Sequence, residues 1–200
     1  ILVTALFLLN TCADAQTTHT IDLVAHWGGG PIAGLTVDDD ILYFGRGAYL
    51  EIMDVADPAQ PVSLASLITP ARVQGIEKSG DYLYVANDCM GLTVVDVSMI
   101  ENPFIVSSVI LTGNVVRGNA VDIEVDGHIA YLASKGLGFH SVDVSDPANP
   151  VVLDGYGIGT KGAEAVKVFG RFALVQRWPY AVIFDVSDPK VDDLPLTIFS

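Results

Sequence analysis

Disulfide-forming cysteines, cationic side chains and long apolar runs are what this sequence has least of. It carries 2 cysteines in 200 residues. One of them, Cys12, lies in an N-terminal apolar segment, so a mature chain starting after that segment keeps only Cys89 and forms no internal disulfide. A chain of this length buries a core without covalent staples, and Cys89 reads either as a small hydrophobe in a turn or as a free thiol. Only 10 Lys and Arg stand against 24 Asp and Glu, a formal net charge of −14. That field repels polyanions, which excludes nucleic acid as a partner and disfavours an anionic membrane surface. It leaves open three uses of an acidic surface: solubility, a saline exterior, or attraction of cationic partners. No stretch approaches the roughly 20 apolar residues of a spanning helix, so no transmembrane span is expected. No window of a dozen residues sustains a 3.6-residue apolar period either, so helices are expected to be nearly absent.

What is present begins with a segment unlike the rest. Ile1 to Leu9 is apolar except for Thr4, and is followed by Asn10-Thr11-Cys12 and Ala13-Asp14-Ala15 before Gln16. The run is too short to span a bilayer, and Ala-x-Ala fits a leader-cleavage site, so residues 1–15 are expected to be the remnant of a signal peptide and the protein to be exported: secreted, periplasmic or on the cell surface. The rival reading makes Cys12 a lipidated residue, although Thr11 fits poorly before such a cysteine. A buried N-terminal strand or helix is the third reading. The absence of an initiator Met and of a basic leading region points to a chain cut short at its start.

The central feature is an internal repeat. The phrases MDVADPAQPV (from Met53), VDVSMIENPF (from Val95), VDVSDPANPV (from Val142) and FDVSDPKVDDLP (from Phe184) share a leading aspartate: Asp54, Asp96, Asp143 and Asp185. Their separations are 42 (54 to 96), 47 (96 to 143) and 42 (143 to 185) residues. Around each phrase lie four short runs rich in Val, Ile, Leu, Tyr and Phe, closed by Gly, Asp, Asn or Pro, the mark of strands joined by tight turns. A four-stranded unit repeating every 40 to 45 residues is the size of a propeller blade. The expected fold is therefore all-β: a β-propeller of four-stranded antiparallel blades, with four blades present in an incomplete ring. The blades are assigned to 32–68, 72–111, 117–156 and 161–200 within a propeller region of 21–200. Residues 21–27 are expected to be a strand completing a missing last blade, with the missing blades supplied by the rest of a longer chain.

The third-strand pentads LEIMD (50–54), LTVVD (92–96), FHSVD (139–143) and AVIFD (181–185), with the DVSDPxxP turn after them and the YLYVA-like strand before, resemble the LVIVD-repeat β-propellers. Met99 and Ile100 replace Asp-Pro in the second copy, and Val191-Asp192-Asp193 lengthens the turn of the fourth. The resemblance implies an exported or surface-attached propeller and says little about ligand.

The recurrent Asp54, Asp96, Asp143 and Asp185, with Pro58, Pro103, Pro147 and Pro189, are explained by turn chemistry: carboxylates accept backbone amides and proline fixes φ. A metal ring at those aspartates is disfavoured because the third strand stands away from the propeller axis. Asp38-Asp39-Asp40 lies where a hairpin turn is expected and lacks the other ligands of a calcium loop. His19, His26, His128 and His140 show no ligand spacing, and Gly28-Gly29-Gly30-Pro31 is not followed by the Lys-Ser/Thr of a phosphate loop. No cofactor, metal or catalytic residue is expected. Binding is expected near the axial funnel, where the segments leading into the first strands contribute Arg72, Arg117, Asp122, Lys161 and Glu164. These suit an anionic or sugar-like ligand or are simply solvated charges. Trp178 either serves recognition at an exposed tip or packs between blades. The functional expectation is a binding or protein-interaction module for an unidentified protein or carbohydrate. The alternatives are a hydrolase or lyase using the funnel, with Arg117, Asp122 and Glu164 as its candidate residues, and a structural module of a larger adhesin.

Overall fold

A computed structural model of the protein describes residues 31–111, 118–158, 162–190 and 197–199. The leader with Cys12, residues 21–27, Arg117 and Lys161 lie outside these. Among the described residues there is no helix, hence none long and apolar enough to cross a membrane. The described residues contain 16 strands in four antiparallel sheets of four, each a simple meander in sequence order. The first comprises β1 (Ile32–Asp38), β2 (Ile41–Arg46), β3 (Tyr49–Asp54) and β4 (Val62–Ile68). The second comprises β5 (Gly75–Ser79), β6 (Tyr82–Ala86), β7 (Leu92–Asp96) and β8 (Phe104–Val109). The third comprises β9 (Asn119–Asp126), β10 (Ile129–Lys135), β11 (Gly138–Asp143) and β12 (Val151–Tyr156). The fourth comprises β13 (Ala165–Phe169), β14 (Phe172–Arg177), β15 (Tyr180–Asp185) and β16 (Thr197–Phe199).

First strands lie side by side, β1 beside β5, β5 beside β9 and β9 beside β13, while no comparable packing joins β13 back to β1 among the described residues. The arrangement is a four-blade arc of a propeller. Its core is divided into three layers, one between each pair of neighbouring blades. Tyr43, Leu50 and Ile52 meet Ile76, Leu83, Val85 and Val95; Tyr84, Leu92 and Val94 meet Ile123, Leu132 and Val142; Tyr131 and Phe139 meet Val166, Val175 and Phe184. A single sheet this small is not stable in water, so each blade depends on apolar cover from its neighbours.

The repeated phrase acts at the rim. Asp54, Asp96, Asp143 and Asp185 each accept the backbone N–H of the residue two positions on, at 2.8, 2.8, 2.8 and 3.0 Å. The valine after each aspartate donates its own N–H back to the first hairpin of the blade, to the carbonyls of Asp40, Asp81, His128 and Arg171. Four equivalent positions thus have four equivalent environments. The same turn also holds the preceding blade: Ser107 Oγ donates to Pro147 O at 2.6 Å and Ser141 Oγ to Pro189 O at 2.5 Å. Both are part-buried single hydrogen bonds, so Ser107→Ala should cost about 1 kcal/mol in urea unfolding, whereas Ser63→Ala, at an exposed outer-strand position, should leave the midpoint unchanged.

One pair of positions at the far end of strands two and three is polar in the first three blades and is fully enclosed in the second and third. Blade one fills it with Arg46 and Glu51, joined by an ion pair and by Arg46 Nε donating at 3.0 Å. Blade two uses Asn87 and Thr93, both fully buried. Blade three has Ser134 and His140, whose Oγ and Nδ1 are buried with no hydrogen-bond partner among the described residues. The His140 ring lies over Gly155, where any Cβ would meet imidazole atoms. Glycine there makes room for the ring.

Candidate functional site

The first strands carry the groups nearest the axis. The residues paired with Tyr43, Tyr84, Tyr131 and Leu174 occupy one equivalent position in the four blades: Thr36, Glu77, Glu124 and Lys167. The first-strand positions just before them, Leu35, Ile76, Ile123 and Val166, are uniformly apolar, so the repeat presents varied side chains beside one constant apolar position.

Charge is balanced unevenly between the three blade junctions. Across the first, Lys78 Nζ meets Asp38 at 2.7 Å. Across the third, Lys167 Nζ donates to both oxygens of Glu124 at 2.7 Å, which holds the ammonium above its ordinary range. The second junction brings carboxylates together. Glu77 of β5 faces Glu124 and Asp122 of β9, and its carboxyl is pushed up by burial first and by Glu124 second, with Lys167 opposing. Asp122 is also raised, chiefly by burial, against the hydrogen bonds from the Val166 and Ile123 amides that favour its charged form. Its Oδ2 accepts the Val166 N–H at 2.9 Å, which ties β9 to β13. The approach of β5 to Asp122 is so close that a Cβ on Gly75 would sit 3.0 Å from Asp122 Cα. Among the described residues the cation beside this cluster, Lys167, is already engaged by Glu124.

Of the residues singled out from sequence, Asp122 lies in this cluster. Arg72 and Glu164 are exposed on the segments leading into β5 and β13 and are not joined to it by any hydrogen bond or ion pair among the described residues. Trp178 is 68% exposed at the β14–β15 hairpin, where Arg177 stacks over the Tyr180 ring. Asp39, with φ of 50°, and Asp40 form the β1–β2 turn, at the place of Gly80-Asp81, Gly127-His128 and Gly170-Arg171 in the other blades. Among the described residues no three His, Cys, Asp or Glu side chains gather as a metal site. Glu77, Glu124 and Lys167 were not singled out from sequence. The signal for them is the first-strand column itself, where an otherwise apolar register carries Thr, Glu, Glu and Lys.

The family described as the LVIVD repeat matches residues 29–69, 71–115, 117–156 and 161–190. No curated protein matches the chain in sequence. Solved structures similar to it include the periplasmic gluconolactonase PpgL of Pseudomonas aeruginosa, with 14% identity and a TM-score of 0.69 over 84% of this chain and 54% of that one. The computationally designed Ika8 protein shares 10% identity with a TM-score of 0.63, over 84% of this chain and 48% of that one. The designed Ika4 protein shares 12% identity with a TM-score of 0.62, over 84% and 99%. The chain thus spans about half the length of the gluconolactonase and of Ika8, and nearly all of Ika4. At these identities the likeness is one of fold.

Proposed function

The chain belongs to the LVIVD-repeat family, and from that membership we propose that it is the binding module of an exported propeller, holding a cationic group of its ligand against Glu77 at the axial edge of the second junction. The observation that carries this reading is the charge imbalance just described. Two junctions are neutralised within the chain by Asp38–Lys78 and Glu124–Lys167, while Glu77 faces two further carboxylates and is destabilised as an anion. An incoming ammonium or guanidinium relieves that repulsion, and the net charge of −14 adds long-range attraction for it. Export rests on residues 1–15.

The test is calorimetric titration with a tetralysine peptide, against tetraglutamate and a neutral oligosaccharide. Tetralysine binds with an affinity that falls with salt, and Glu77→Gln weakens it about 10-fold, the loss of roughly one charge-assisted contact. Glu101→Gln, at an exposed turn remote from the site, leaves binding unchanged. Equal binding by the two variants would reduce the effect to overall charge and sink the assignment.

One observation favours a second reading, an enzyme of the hydrolase or lyase class. Glu77 is raised above its usual range, the condition under which a carboxylic acid keeps a proton to donate. Gluconolactone hydrolysis that disappears in Glu77→Gln would put this reading in place of the first.

A further inference from the structure

Blades one and four carry matching hairpins between their second and third strands, Arg46-Gly47-Ala48-Tyr49 and Arg177-Trp178-Pro179-Tyr180. Arg46 pairs with Tyr49 across β2 and β3 as Arg177 pairs with Tyr180 across β14 and β15. In both, the guanidinium lies over the tyrosine ring, with Cζ 5.9 Å from the centroid in blade one and 5.6 Å in blade four. What differs is the counter-charge. Phe44 of β2 pairs with Glu51, which accepts from Arg46 Nε at 3.0 Å. The matching pair in blade four is Val175 with Val182, a buried apolar residue. Arg177 therefore keeps the place of Arg46 and lacks its carboxylate. Among the described residues its Nε is buried with no hydrogen-bond partner and its guanidinium joins no ion pair. Glu164, whose N–H donates to the carbonyl of neighbouring Gln176, does not make up the deficit.

This hairpin position faces solvent even where the next blade is in place. The link into blade two is bonded to the blade-one hairpin, Thr69 N–H to Ala48 O and Val73 N–H to Gly47 O, yet Arg46, Gly47 and Tyr49 all remain exposed. A Cβ built on Gly47, the counterpart of Trp178, meets nothing within 4 Å. The exposure of Trp178 is thus a property of its place in the blade, whatever lies beyond blade four. The other hairpins at this end, Gly47-Ala48, Asp88 to Gly91 and Gly136-Leu137, carry no aromatic ring at the tip.

We propose that the β14–β15 hairpin is a second binding site, for a sugar ring that bears a carboxylate. The flat indole of Trp178, 68% exposed, takes the C–H face of the ring, because the electron-rich face of an aromatic attracts polarised C–H bonds. The guanidinium of the adjoining Arg177 takes the carboxylate in the forked geometry that the two groups share. It is partly exposed and turns outward to the ligand without breaking a hydrogen bond or ion pair among the described residues. The ligand thus supplies from outside the charge that Glu51 supplies within blade one. A uronate carries both features on one ring, whereas an aliphatic acid offers no face to the indole and a neutral sugar no charge to the guanidinium. The net charge of −14 opposes anions at long range, which restricts the ligand to few carboxylates rather than a polyanion. This site stands on observations separate from those at Glu77 and takes the opposite charge.

The emission of a Trp27→Phe chain, which keeps Trp178 as its one tryptophan, tests this. Glucuronate should change that emission saturably in the millimolar range, with glucose and acetate each about 10-fold weaker, since each supplies one of the two contacts. Arg177→Gln should bring glucuronate down to the level of glucose. Lys190→Gln, which removes one positive charge at an exposed position in the rim turn of the same blade, should leave it unchanged. Trp178→Ala, silent in emission, is read instead by the broadening of glucuronate proton NMR signals, which should disappear. The ranking of the three probes on the parent hairpin is decisive whether or not a variant folds. Acetate binding as well as glucuronate would reduce the site to a bare guanidinium, and glucose binding as well would leave Arg177 without a role. Either result, an Arg177→Gln chain that binds like the parent, or the absence of a saturable response overturns the proposal.

Discussion

Replacing Asn87 with alanine should lower the unfolding free energy by about 3 kcal/mol, more than any other single polar truncation in the described blades. Its amide is fully buried and fully used. Oδ1 accepts from Ala71 N at 3.0 Å and from Thr93 Oγ1 at 3.2 Å. Nδ2 donates to Thr69 Oγ1 at 3.1 Å and to Ala71 O at 2.8 Å. The side chain therefore replaces a stretch of backbone pairing: it fixes residues 69–71, the link between blades one and two, against the third strand of blade two. Alanine removes four hydrogen bonds and leaves the Ala71 amide short of a partner in a dry layer, while the Thr93 hydroxyl keeps only Ser108 Oγ at 3.1 Å, and an unmade buried bond costs more than a made one contributes. Urea unfolding followed by tyrosine fluorescence measures it. Asn102→Ala, on an exposed turn, should shift the midpoint by no more than about 0.5 kcal/mol. Equal effects of the two substitutions would show that the network is not what secures the link.

His140 should give the steepest acid sensitivity. Burial drives its pKa from 6.5 down to about 4, against a weaker upward pull from Asp154. Among the described residues its Nδ1 has no acceptor for the proton that acidification would add. The unfolded chain takes up that proton near 6.5 and the folded chain only near 4, so the contribution is complete above 6.5 and is lost as pH falls through that window. The ceiling is about 3 kcal/mol, and about 1 kcal/mol should already be gone at pH 5.5. Glu77 and Asp122 act in the opposite sense, since raised carboxyl values favour the folded chain in acid. Asp185, held down to about 2 by the Arg171 and Ser187 hydrogen bonds, adds its loss only at lower pH. Because these carboxyls are common to both proteins, the difference between urea midpoints at pH 7.5 and 5.5, compared between the parent chain and His140→Phe, isolates the imidazole. His140→Phe should flatten the difference, and an unchanged difference would assign the acid sensitivity to other groups.

The architecture was legible because it is periodic. The aspartate phrase returns at a blade's length, and each apolar run is short enough to be only a strand. The chemistry beside the axis was harder to read. Asp122 was visible as a carboxylate near a first strand, but Glu77 and Lys167 sit inside strands whose alternation looks like ordinary surface polarity. Only the stacking of neighbouring blades turns those positions into one shared edge. His140 and Asn87 were hidden for a related reason. Both occupy places that read as solvent-facing in a single blade, and Asn87 is covered by residues 69–71, the link in from the preceding blade. Burial at such positions is a property of two repeats together, so no reading of one repeat finds it.

The serine-to-proline clasps at the rim give the molecule a direction under load. Ser107 is held by the turn of blade three and Ser141 by the turn of blade four, so each clasp is closed from the C-terminal side. Tension applied at that end opens the outermost clasp before it reaches the apolar layer behind it, and the blade so freed pays out roughly 140 Å of chain at about 3.4 Å per residue. The next clasp then bears the whole force. Stretching would thus proceed as separate ruptures, one at each of these two clasps, and this part of the arc would behave as a ratcheted strap.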